Sequence, residues 1–398
     1  PWPCNVWKGL PLNRLARLLW RRLCPGGQLP VGSRAFMPVV CTMKPRQARS
    51  CRRYSPWSRH TEPGYVRQAH RGSERQSVMG KIVQWGAGNI GRSFVGQIFA
   101  RNGWDVTFVD VDSRLIQALS DSGAYRVIAV SGDQSEIMEI TGIKAINAGD
   151  EAKVAQAVAE ADCISFAVGK NILPKVVPGV ARLITERYRH HPDRPVDILI
   201  SENVQDGAAL FRQLLAQGLP PDFPVNTYIG LVETSLGKMV PIQRGTDPLT
   251  MYAEPYNTLI VDRLGFIGRI PEFPELEAVS PIQAWVAKKL YIHNLGHAAT
   301  AYLGYKHNPE AVYIWQVLEM PAVASEVRLA MIQAGAVLRV EFPGVFSVID
   351  IQDHIDELLH RFANRALGDT LHRVGRDLAR KLCWDDRLAG ALDRKSVV

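Results

Sequence analysis

Basic and amide side chains near residue 290 have the types and the spacing needed for acid–base chemistry. The stretch runs Lys289-Leu-Tyr-Ile-His293-Asn294-Leu-Gly-His297 and has the composition of a helix. On an α-helix, with about 100° per residue, Lys289, His293 and His297 lie within about 80° of one another. Oxidation of an alcohol needs a base for the hydroxyl proton, and a lysine can be that base when burial or a nearby positive charge lowers its pKa. Amide and imidazole groups can stabilise the oxygen as it gains negative charge.

Two other interpretations of this stretch stay open from the residues alone. It could be an ordinary amphipathic helix with an exposed Lys289, a surface Asn294 and a core His297. Alternatively, His293 and His297 have the i,i+4 spacing of metal ligands. However, the glutamate of a His-Glu-x-x-His motif is absent and no third ligand is evident, so we expect no metal.

A glycine-rich turn near the start of the folded part indicates a dinucleotide site. The apolar run Lys81–Trp85 is suited to a buried parallel strand, and the next residues have the spacing G-x-G-x-x-G. Gly86 would allow the tight turn, Gly88 would let the backbone approach a pyrophosphate, and Gly91 would allow close packing of helix and strand. A helix over residues 92–102 would direct its free N–H groups at the phosphates. The expected cofactor contacts in this turn are Gly86, Ala87, Gly88, Asn89, Ile90 and Gly91.

The residues that follow indicate which dinucleotide is bound. Asp110 ends a second predicted strand, over residues 105–110, and lies 19 residues after Gly91. A carboxylate there can accept hydrogen bonds from both ribose hydroxyls and would repel a 2′-phosphate, which favours NAD over NADP. A further apolar strand, over residues 162–168, should place Val168 and Gly169 beside the same cofactor.

The order of elements from Met79 onward predicts the architecture. Strand, helix and strand alternate as in an α/β protein with a Rossmann-type doubly wound sheet, and a mainly α-helical region follows. We predict an NAD-binding domain over residues 79–200, the remainder of the sheet with a connecting region over 201–281, and a helical substrate domain over 282–398. The strand over residues 196–201 leads directly into Asn203, near the expected cleft. The predicted helices are residues 114–120, 151–160, 282–305, 309–318, 322–338 and 351–362.

Composition separates residues 1–78 from the rest of the chain. They contain 15 Lys and Arg against two acids, whereas the whole chain carries a formal charge of +8, which leaves a mildly acidic remainder. We interpret them as a disordered or non-native leader, with a transit peptide or a basic interaction tail as alternatives. The acidic remainder gives no reason to expect nucleic acid, and no apolar run is long enough to span a membrane.

Two further compositional features concern location and completeness. Only Cys163 and Cys383 lie outside the leader, as expected for a reduced, cytoplasmic protein. The end of the chain, at residues 393–398, follows a helix-like segment abruptly. We therefore expect the helical domain to be truncated.

The stretch around Lys289 resembles the signature of the polyol-specific long-chain dehydrogenases, the mannitol dehydrogenase family. The pattern is Lys289-x4-Asn294-x2-His297, and the similarity extends from about Met79 to Ala391. Further matching stretches are Trp85–Arg92, Ser201–Asn203, Ala253–Asn257, Ala301–Tyr305, Arg361–Arg365, Asp369–Thr370, Arg373–Asp377 and Arg380–Leu382.

The resemblance implies metal-independent hydride transfer between NAD and a small-molecule substrate. Within the family, the wider match is to members that interconvert a hexitol phosphate and a ketohexose phosphate. It implies Lys289 as general base, Asn203 and Asn294 as the oxyanion pocket, and His297 as a ligand of a substrate hydroxyl. Glu233 occupies a place where relatives have an acid near the lysine. Unphosphorylated polyols or hexuronates are alternative substrates, and NAD(H) sensing without turnover is an alternative function.

A basic cluster towards the end of the chain could hold a phosphate. A sugar phosphate needs cationic hydrogen-bond donors, and Arg373, Arg376 and Lys381 supply three. They could equally be surface charges paired with Asp369 and Asp377. The sequence leaves open whether the protein is a monomer or a dimer.

Overall fold

The computed structural model describes residues 80–243 and 246–390. The predicted leader over residues 1–78 and the predicted truncated end over 393–398 lie outside these residues. Within the described ranges, no helix is both long enough and apolar enough to cross a membrane.

An eight-stranded sheet with mostly parallel neighbours forms the core of the amino-terminal half. Its order is β5-β2-β1-β6-β7-β8-β10-β11, with every neighbouring pair parallel except β8 and β10. These eight strands are β1 (Lys81–Trp85), β2 (Asp105–Asp110), β5 (Lys144–Asn147), β6 (Cys163–Phe166), β7 (Val196–Ile200), β8 (Ile229–Ser235), β10 (Leu259–Asp262) and β11 (Leu276–Val279). The strand order reverses between β1 and β6, so a crevice for a ligand lies at their carboxyl ends.

Both faces of this sheet are covered, which explains why its central strands are apolar without alternation. All five residues of β7 and all four of β6 are buried. One face packs against α3 (Glu151–Glu160), α4 (Leu173–His190) and α5 (Gly207–Leu215). The other face packs against α1 (Gln97–Arg101) and a second, smaller sheet. The predicted doubly wound α/β class is confirmed. Two further helices in this half are α2 (Ser113–Ser122) and α6 (Val225–Tyr228).

The smaller sheet was not predicted. It has three strands in the order β4-β3-β9: β3 (Ala124–Ser131), β4 (Gln134–Thr141) and β9 (Thr250–Ala253). β4 is exposed over most of its length, so it lacks the apolar alternation that marks a half-buried strand. The side chain of Asn364, in the helical half, holds the hairpin through bonds to Gly132 N–H and Val130 O, both 2.9 Å.

The carboxyl-terminal half is helical, as predicted. Its helices are α7 (Ile282–Lys288), α8 (Leu295–His307), α9 (Ile314–Leu318), α10 (Pro321–Glu341), α11 (Val348–Phe362), α12 (Leu371–Gly375) and α13 (Leu378–Lys381). A π-helical segment, Lys289–Asn294, joins α7 to α8. Buried residues from all of these elements except α13 form one core.

The helix predicted over residues 309–318 is wrong in its first half. Residues 309–313 are not helical, and Tyr313 forms an isolated antiparallel bridge with Thr370. Ile314 N–H donates to Asp369 O at 2.9 Å and Leu371 N–H donates to Val312 O at 2.8 Å. This pairing with a distant segment takes the backbone groups that a helix would have used, so tertiary context overrides local pattern.

A buried ion pair joins the helical half to the sheet half. Arg361 on α11 donates to both oxygens of Glu254, with Nε at 2.9 Å and Nη2 at 2.6 Å. Arg361 Nη2 also donates to Gly237 O at 2.6 Å, and its guanidinium lies over the Tyr256 ring. The side chain of Glu254 is 1% exposed and that of Arg361 is 10% exposed, so this pair is shielded from water.

Candidate active site

The glycine-rich turn has the geometry that its three glycines predict. Gly86 has φ +88°, and a Cβ there would lie 2.3 Å from Ala167 O; a Cβ at Gly91 would lie 1.9 Å from Gly86 O. Both positions therefore exclude any side chain. By contrast, a Cβ at Gly88 would meet nothing within 4 Å, so this residue borders open space at the carboxyl end of β1. The turn thus offers an unobstructed backbone surface where a pyrophosphate would bind.

The helix after the turn begins in a π-helical form. Gly91–Gly96 is π-helical and leads into α1, so the predicted helix over residues 92–102 is present but begins with a π-helical turn. Arg92 is buried, and its Nε donates to Ala87 O at 2.5 Å. This hydrogen bond holds the glycine-rich turn in place from the protein interior. The N–H groups of Asn89 and Ile90, at the start of the helix, lie among the first four that have no partner within a helix.

Asp110 lies beside the turn, as predicted. Its Oδ2 accepts a hydrogen bond from Ala87 N–H at 2.7 Å and its Oδ1 accepts one from Asp112 N–H at 3.1 Å. Each carboxylate oxygen keeps capacity for a second bond. The open face of Gly88, the helix start and this carboxylate together fit the pyrophosphate and the adenosine ribose of NAD.

The other predicted cofactor residues lie across the crevice, after β6. Gly169 has φ +94° and its Cβ position is open. Its N–H donates to Glu202 Oε1 at 2.5 Å, which connects this loop to the end of β7. Burial raises the pKa of the Glu202 carboxyl. Val168 and Gly169 therefore border the same switch point as the glycine turn.

Lys289, in the helical half, forms a hydrogen bond with a residue of the sheet half. Its Nζ donates to Asn203 Oδ1 at 2.5 Å, so an amine from the helical half and an amide that follows β7 share one site. Burial first, and then the positive charge of Arg387, lowers the pKa of Lys289 to about 8. An amine with this pKa can release and take up a proton near neutrality, as a general base must.

The helix that carries Lys289 is not α-helical throughout. Lys289–Asn294 forms a π-helical segment, so the α-helical angles predicted for this face are wrong over these residues. π-Helical turns within α-helices are frequent at functional sites. Asn294 is buried one turn beyond the lysine, and its side-chain amide makes no hydrogen bond to another described residue. Its donors thus remain available to a ligand.

His297 is held as a neutral ring. Its Nε2 lies 3.1 Å from Asp369 Oδ2, and its ring stacks on Phe362 with centroids 5.0 Å apart. Burial and the positive charges of Arg373, Lys381 and Arg387 lower the pKa of His297 to about 3. Because a carboxylate only accepts hydrogen bonds, Nε2 carries the proton and Nδ1 is left as an acceptor for a hydroxyl.

The three predicted phosphate residues have different surroundings. Arg373 pairs through Nη1 with Asp369 Oδ1. Lys381 is buried, and its Nζ donates to Arg376 O at 2.6 Å and to Val374 O. Burial lowers the pKa of Lys381 to about 8. The side chain of Arg376 is exposed. Arg373 and Lys381 therefore adjoin His297, with much of their hydrogen-bonding capacity already used.

Glu233 does not pair with the lysine. It lies on β8, and its Oε1 accepts a hydrogen bond from Ala208 N–H at 2.9 Å, at the start of α5. Burial raises the pKa of this carboxyl. Among the described residues, no hydrogen bond or ion pair joins Glu233 to Lys289, so the expected contact is absent from this arrangement.

A cavity of about 190 Å³ reaches Lys289 from between the sheet edge and helices α7 and α11. It contains several titratable side chains besides the lysine. It is lined by Ser235, Gly237, Tyr256, Thr258, Ile260, Glu277, Trp285, Lys288, Lys289, His293, His354, Glu357 and Arg361. No group of three or more His, Cys, Asp or Glu side chains that could hold a metal ion occurs in the described ranges.

Comparisons with known proteins agree with this geometry. The family model for the mannitol dehydrogenase Rossmann domain matches residues 80–275, and that for the mannitol dehydrogenase C-terminal domain matches residues 281–395. A mannitol-1-phosphate 5-dehydrogenase of Brevibacillus brevis is 32% identical over 314 residues, which are 77% of this chain and 79% of the relative. The enzyme of the same name from Geobacillus thermodenitrificans is 33% identical over the same shares of both chains. The chain belongs to the mannitol dehydrogenase family.

A solved structure from the family has the same fold. Pseudomonas fluorescens mannitol 2-dehydrogenase, in a ternary complex with NAD and D-mannitol, aligns with a TM-score of 0.62 at 16% identity. The alignment covers 79% of this chain and 74% of that one. At this identity the likeness establishes the architecture of the mannitol dehydrogenases for the present chain.

Sequence reasoning missed one largely buried charged residue in the region of Lys289 and His297. Arg387 follows α13, its side chain is 12% exposed, and its charge lowers the pKa of Lys289, His297 and Lys381. It lies in the short stretch Asp385-Asp-Arg-Leu388, where no periodicity indicates which side chain is buried. Its only sequence signal was its position just after a basic, motif-rich segment.

Proposed function

We propose that this protein is an NAD-dependent oxidoreductase that interconverts mannitol 1-phosphate and fructose 6-phosphate by hydride transfer. The observation that carries the proposal is the bond from Lys289 Nζ to Asn203 Oδ1 at the edge of the nucleotide crevice. In the proposed reaction this amine, with its pKa of about 8, is the base beside the alcohol carbon that faces the nicotinamide. The names of the relatives supply mannitol 1-phosphate as the substrate. Oxidation of its carbon 5 gives fructose 6-phosphate, which supplies the product.

Each residue has a separate task in the proposed reaction. Bound NAD supplies the hydride acceptor. The neutral amine of Lys289 takes the hydroxyl proton of the alcohol as the carbon–hydrogen bond breaks. Since Asn203 presents its carbonyl oxygen to the lysine, its amide N–H groups are free to face the substrate oxygen. They stabilise that oxygen together with the amide of Asn294, and Nδ1 of His297 accepts a bond from another substrate hydroxyl.

A substrate comparison tests the proposal. Oxidation of NADH would be followed with fructose 6-phosphate, fructose and fructuronate. We expect fructose 6-phosphate to give the highest kcat/KM. A preference for fructose or fructuronate would replace the proposal with an unphosphorylated polyol or a hexuronate as substrate. Binding of NADH without turnover of any of the three would favour a sensing role.

The same assay tests the choice of dinucleotide. Asp110 offers its carboxylate where NADP carries a 2′-phosphate, so we expect NADPH to support less turnover than NADH. An Asp110→Ser variant should narrow this difference. Equal use of both dinucleotides by the unaltered protein would contradict the proposed role of Asp110.

A further inference from the structure

The turn after α13 spans both sides of the Lys289 site. Asp385 O accepts a hydrogen bond of 2.9 Å from Gln205 Nε2, two residues beyond Asn203. Leu388 N–H donates to Lys381 O at 3.3 Å, and the Leu388 side chain is buried in the helical core. A Cβ at Gly390 would lie 3.0 Å from the Tyr291 ring, in the π-helical segment. The side chains of this turn therefore lie beside the segments that carry the base and its amide partner.

Arg387 is the residue of this turn with unused donors. Its Nε bonds to Asp386 Oδ1 at 2.7 Å, and the other oxygen of Asp386 is taken by Arg380 Nη1 at 2.8 Å. Neither Nη group of Arg387 has a hydrogen-bond partner among the described residues. The side chain is nevertheless only 12% exposed. A largely buried guanidinium with an unfilled planar fork has the geometry of a phosphate ligand.

The neighbouring cations are already engaged. Arg373 pairs with Asp369, and the ammonium of Lys381 is bound to two backbone carbonyls at the end of α12. The charge of Arg387 acts on Lys289, His297 and Lys381, so all four groups share one region. In fructose 6-phosphate the reacting carbon and the phosphate lie towards opposite ends of the sugar. A phosphate ligand must therefore be near the base without contacting it.

We infer that Arg387 selects phosphorylated substrates, with both Nη groups binding the phosphate of the hexitol or ketohexose phosphate. Arg373 and Lys381 add positive charge around the bound dianion. This inference rests on the proposed function and assigns the substrate phosphate to a residue outside the cluster predicted from the sequence.

The test is an Arg387→Gln variant beside an Arg380→Gln control. Arg380 binds the same aspartate, but its side chain is 54% exposed. Reduction of fructose 6-phosphate and of fructose by NADH would be measured at about pH 6.5, where Lys289 is protonated with or without Arg387. For Arg387→Gln we expect kcat/KM for fructose 6-phosphate to fall about 100-fold, mainly through KM, as for loss of charge-assisted bonds. The value for fructose should change less than about 3-fold, and the control should change neither.

Inorganic phosphate provides a second measurement. It should compete with fructose 6-phosphate in the unaltered protein, and Arg387→Gln should weaken this inhibition by a similar factor. Equal losses on both sugars, or unchanged inhibition by phosphate, would overturn the assignment of Arg387 while leaving the proposed function in place. Failure of the unaltered protein to prefer fructose 6-phosphate over fructose would overturn the proposed function itself, and this inference with it.

Discussion

At the scale of single residues, the main feature is how the amine of Lys289 becomes available in its neutral, proton-accepting form near neutral pH. Partial burial of the Lys289 side chain removes water that would stabilise its charged ammonium form. The positive charge of Arg387 destabilises the ammonium form further. Both effects favour the neutral amine, so the pKa falls to about 8. The fall is moderate, which leaves both protonation states available to a reversible reaction near neutral pH.

This pKa sets the expected pH dependence of turnover. Oxidation of mannitol 1-phosphate needs the neutral amine, so its kcat/KM should rise with pH and level off above about pH 8. Reduction of fructose 6-phosphate needs the ammonium form and should fall through the same range. His297, whose pKa is lowered to about 3, should add no further transition above about pH 5. Steady-state kinetics in both directions measure these profiles.

Substitution of the lysine supplies the matching control. Lys289→Ala should lose about 10²- to 10⁴-fold in kcat, while NADH still binds. Any pH dependence that remains near pH 8 would belong to other groups, such as Lys381, whose pKa is also lowered to about 8. Lys288→Ala removes the adjacent amine, which lies over the Phe346 ring, and should keep most of the turnover. Full activity in the Lys289→Ala variant would contradict the role of general base.

The candidate site residues that the sequence pattern brought together were those that lie in one short stretch. Lys289, Asn294 and His297 are close in sequence, so their types and spacing suggested chemistry before any fold was known. The bond from Lys289 to Asn203 joins residues 86 positions apart. The predicted strand before Asn203 placed this asparagine near the cleft, but only the family resemblance paired it with the lysine. Arg387 had neither a local pattern nor a matched motif. Its burial depends on a turn whose position is set by contacts with Gln205 and the helical core.

At the scale of elements, the glycine-rich turn contains glycines that are required for two different reasons. One kind allows close packing of the backbone, and the other leaves space for a ligand. Gly91 is required because a side chain would collide with Gly86 O, whereas Gly88 borders open space. The strands and long helices on either side of this turn were predictable because their apolar runs match the period of each element. The π-helical segments were not, since no residue pattern separates them from α-helix.

Two alanine substitutions test this separation. Gly88→Ala should leave the melting temperature nearly unchanged but weaken NADH binding about tenfold or more, because the added methyl occupies the surface that a pyrophosphate approaches. Gly91→Ala should lower the melting temperature or prevent folding, because backbone atoms must move. Thermal unfolding measures the change in melting temperature, and quenching of the protein's tryptophan fluorescence by added NADH measures its affinity. Loss of stability in Gly88→Ala with unaltered NADH affinity would refute this assignment.

At the scale of the whole molecule, the buried ion pair of Glu254 and Arg361 joins the sheet half to the helical half. The sequence did not predict this pair. Glu254 and Arg361 were noted only as parts of matching motifs, and nothing local shows that residues 107 apart in the chain are bonded. Periodicity predicts which face of a helix is buried but not the partner that covers it. The order of the sheet and helical halves was therefore predictable, whereas the contacts between them were not.

Removal of one member of this pair should be costly. Arg361→Met leaves the carboxylate of Glu254 buried without its counter-charge, and we expect unfolding free energy to fall by about 3–5 kcal/mol. Adding Glu254→Gln should recover part of this loss. Arg269→Met, in a pair whose side chains are 81% and 76% exposed, should change stability by less than about 1 kcal/mol. Urea unfolding curves give all three values, and equal effects at Arg361 and Arg269 would contradict this account.

Two hydrogen bonds at neighbouring residues connect the nucleotide crevice to Lys289. Gly169 N–H bonds to Glu202, and the next residue, Asn203, bonds to Lys289. We therefore expect occupancy of the crevice and affinity for the sugar to be thermodynamically linked, and such linkage is reciprocal. If bound dinucleotide lowers the dissociation constant of the sugar by some factor, bound sugar must lower the dissociation constant of the dinucleotide by the same factor. We expect a Glu202→Ala variant to bind each ligand but to lose most of this linkage, which titrations with NADH in the presence and absence of fructose 6-phosphate would measure.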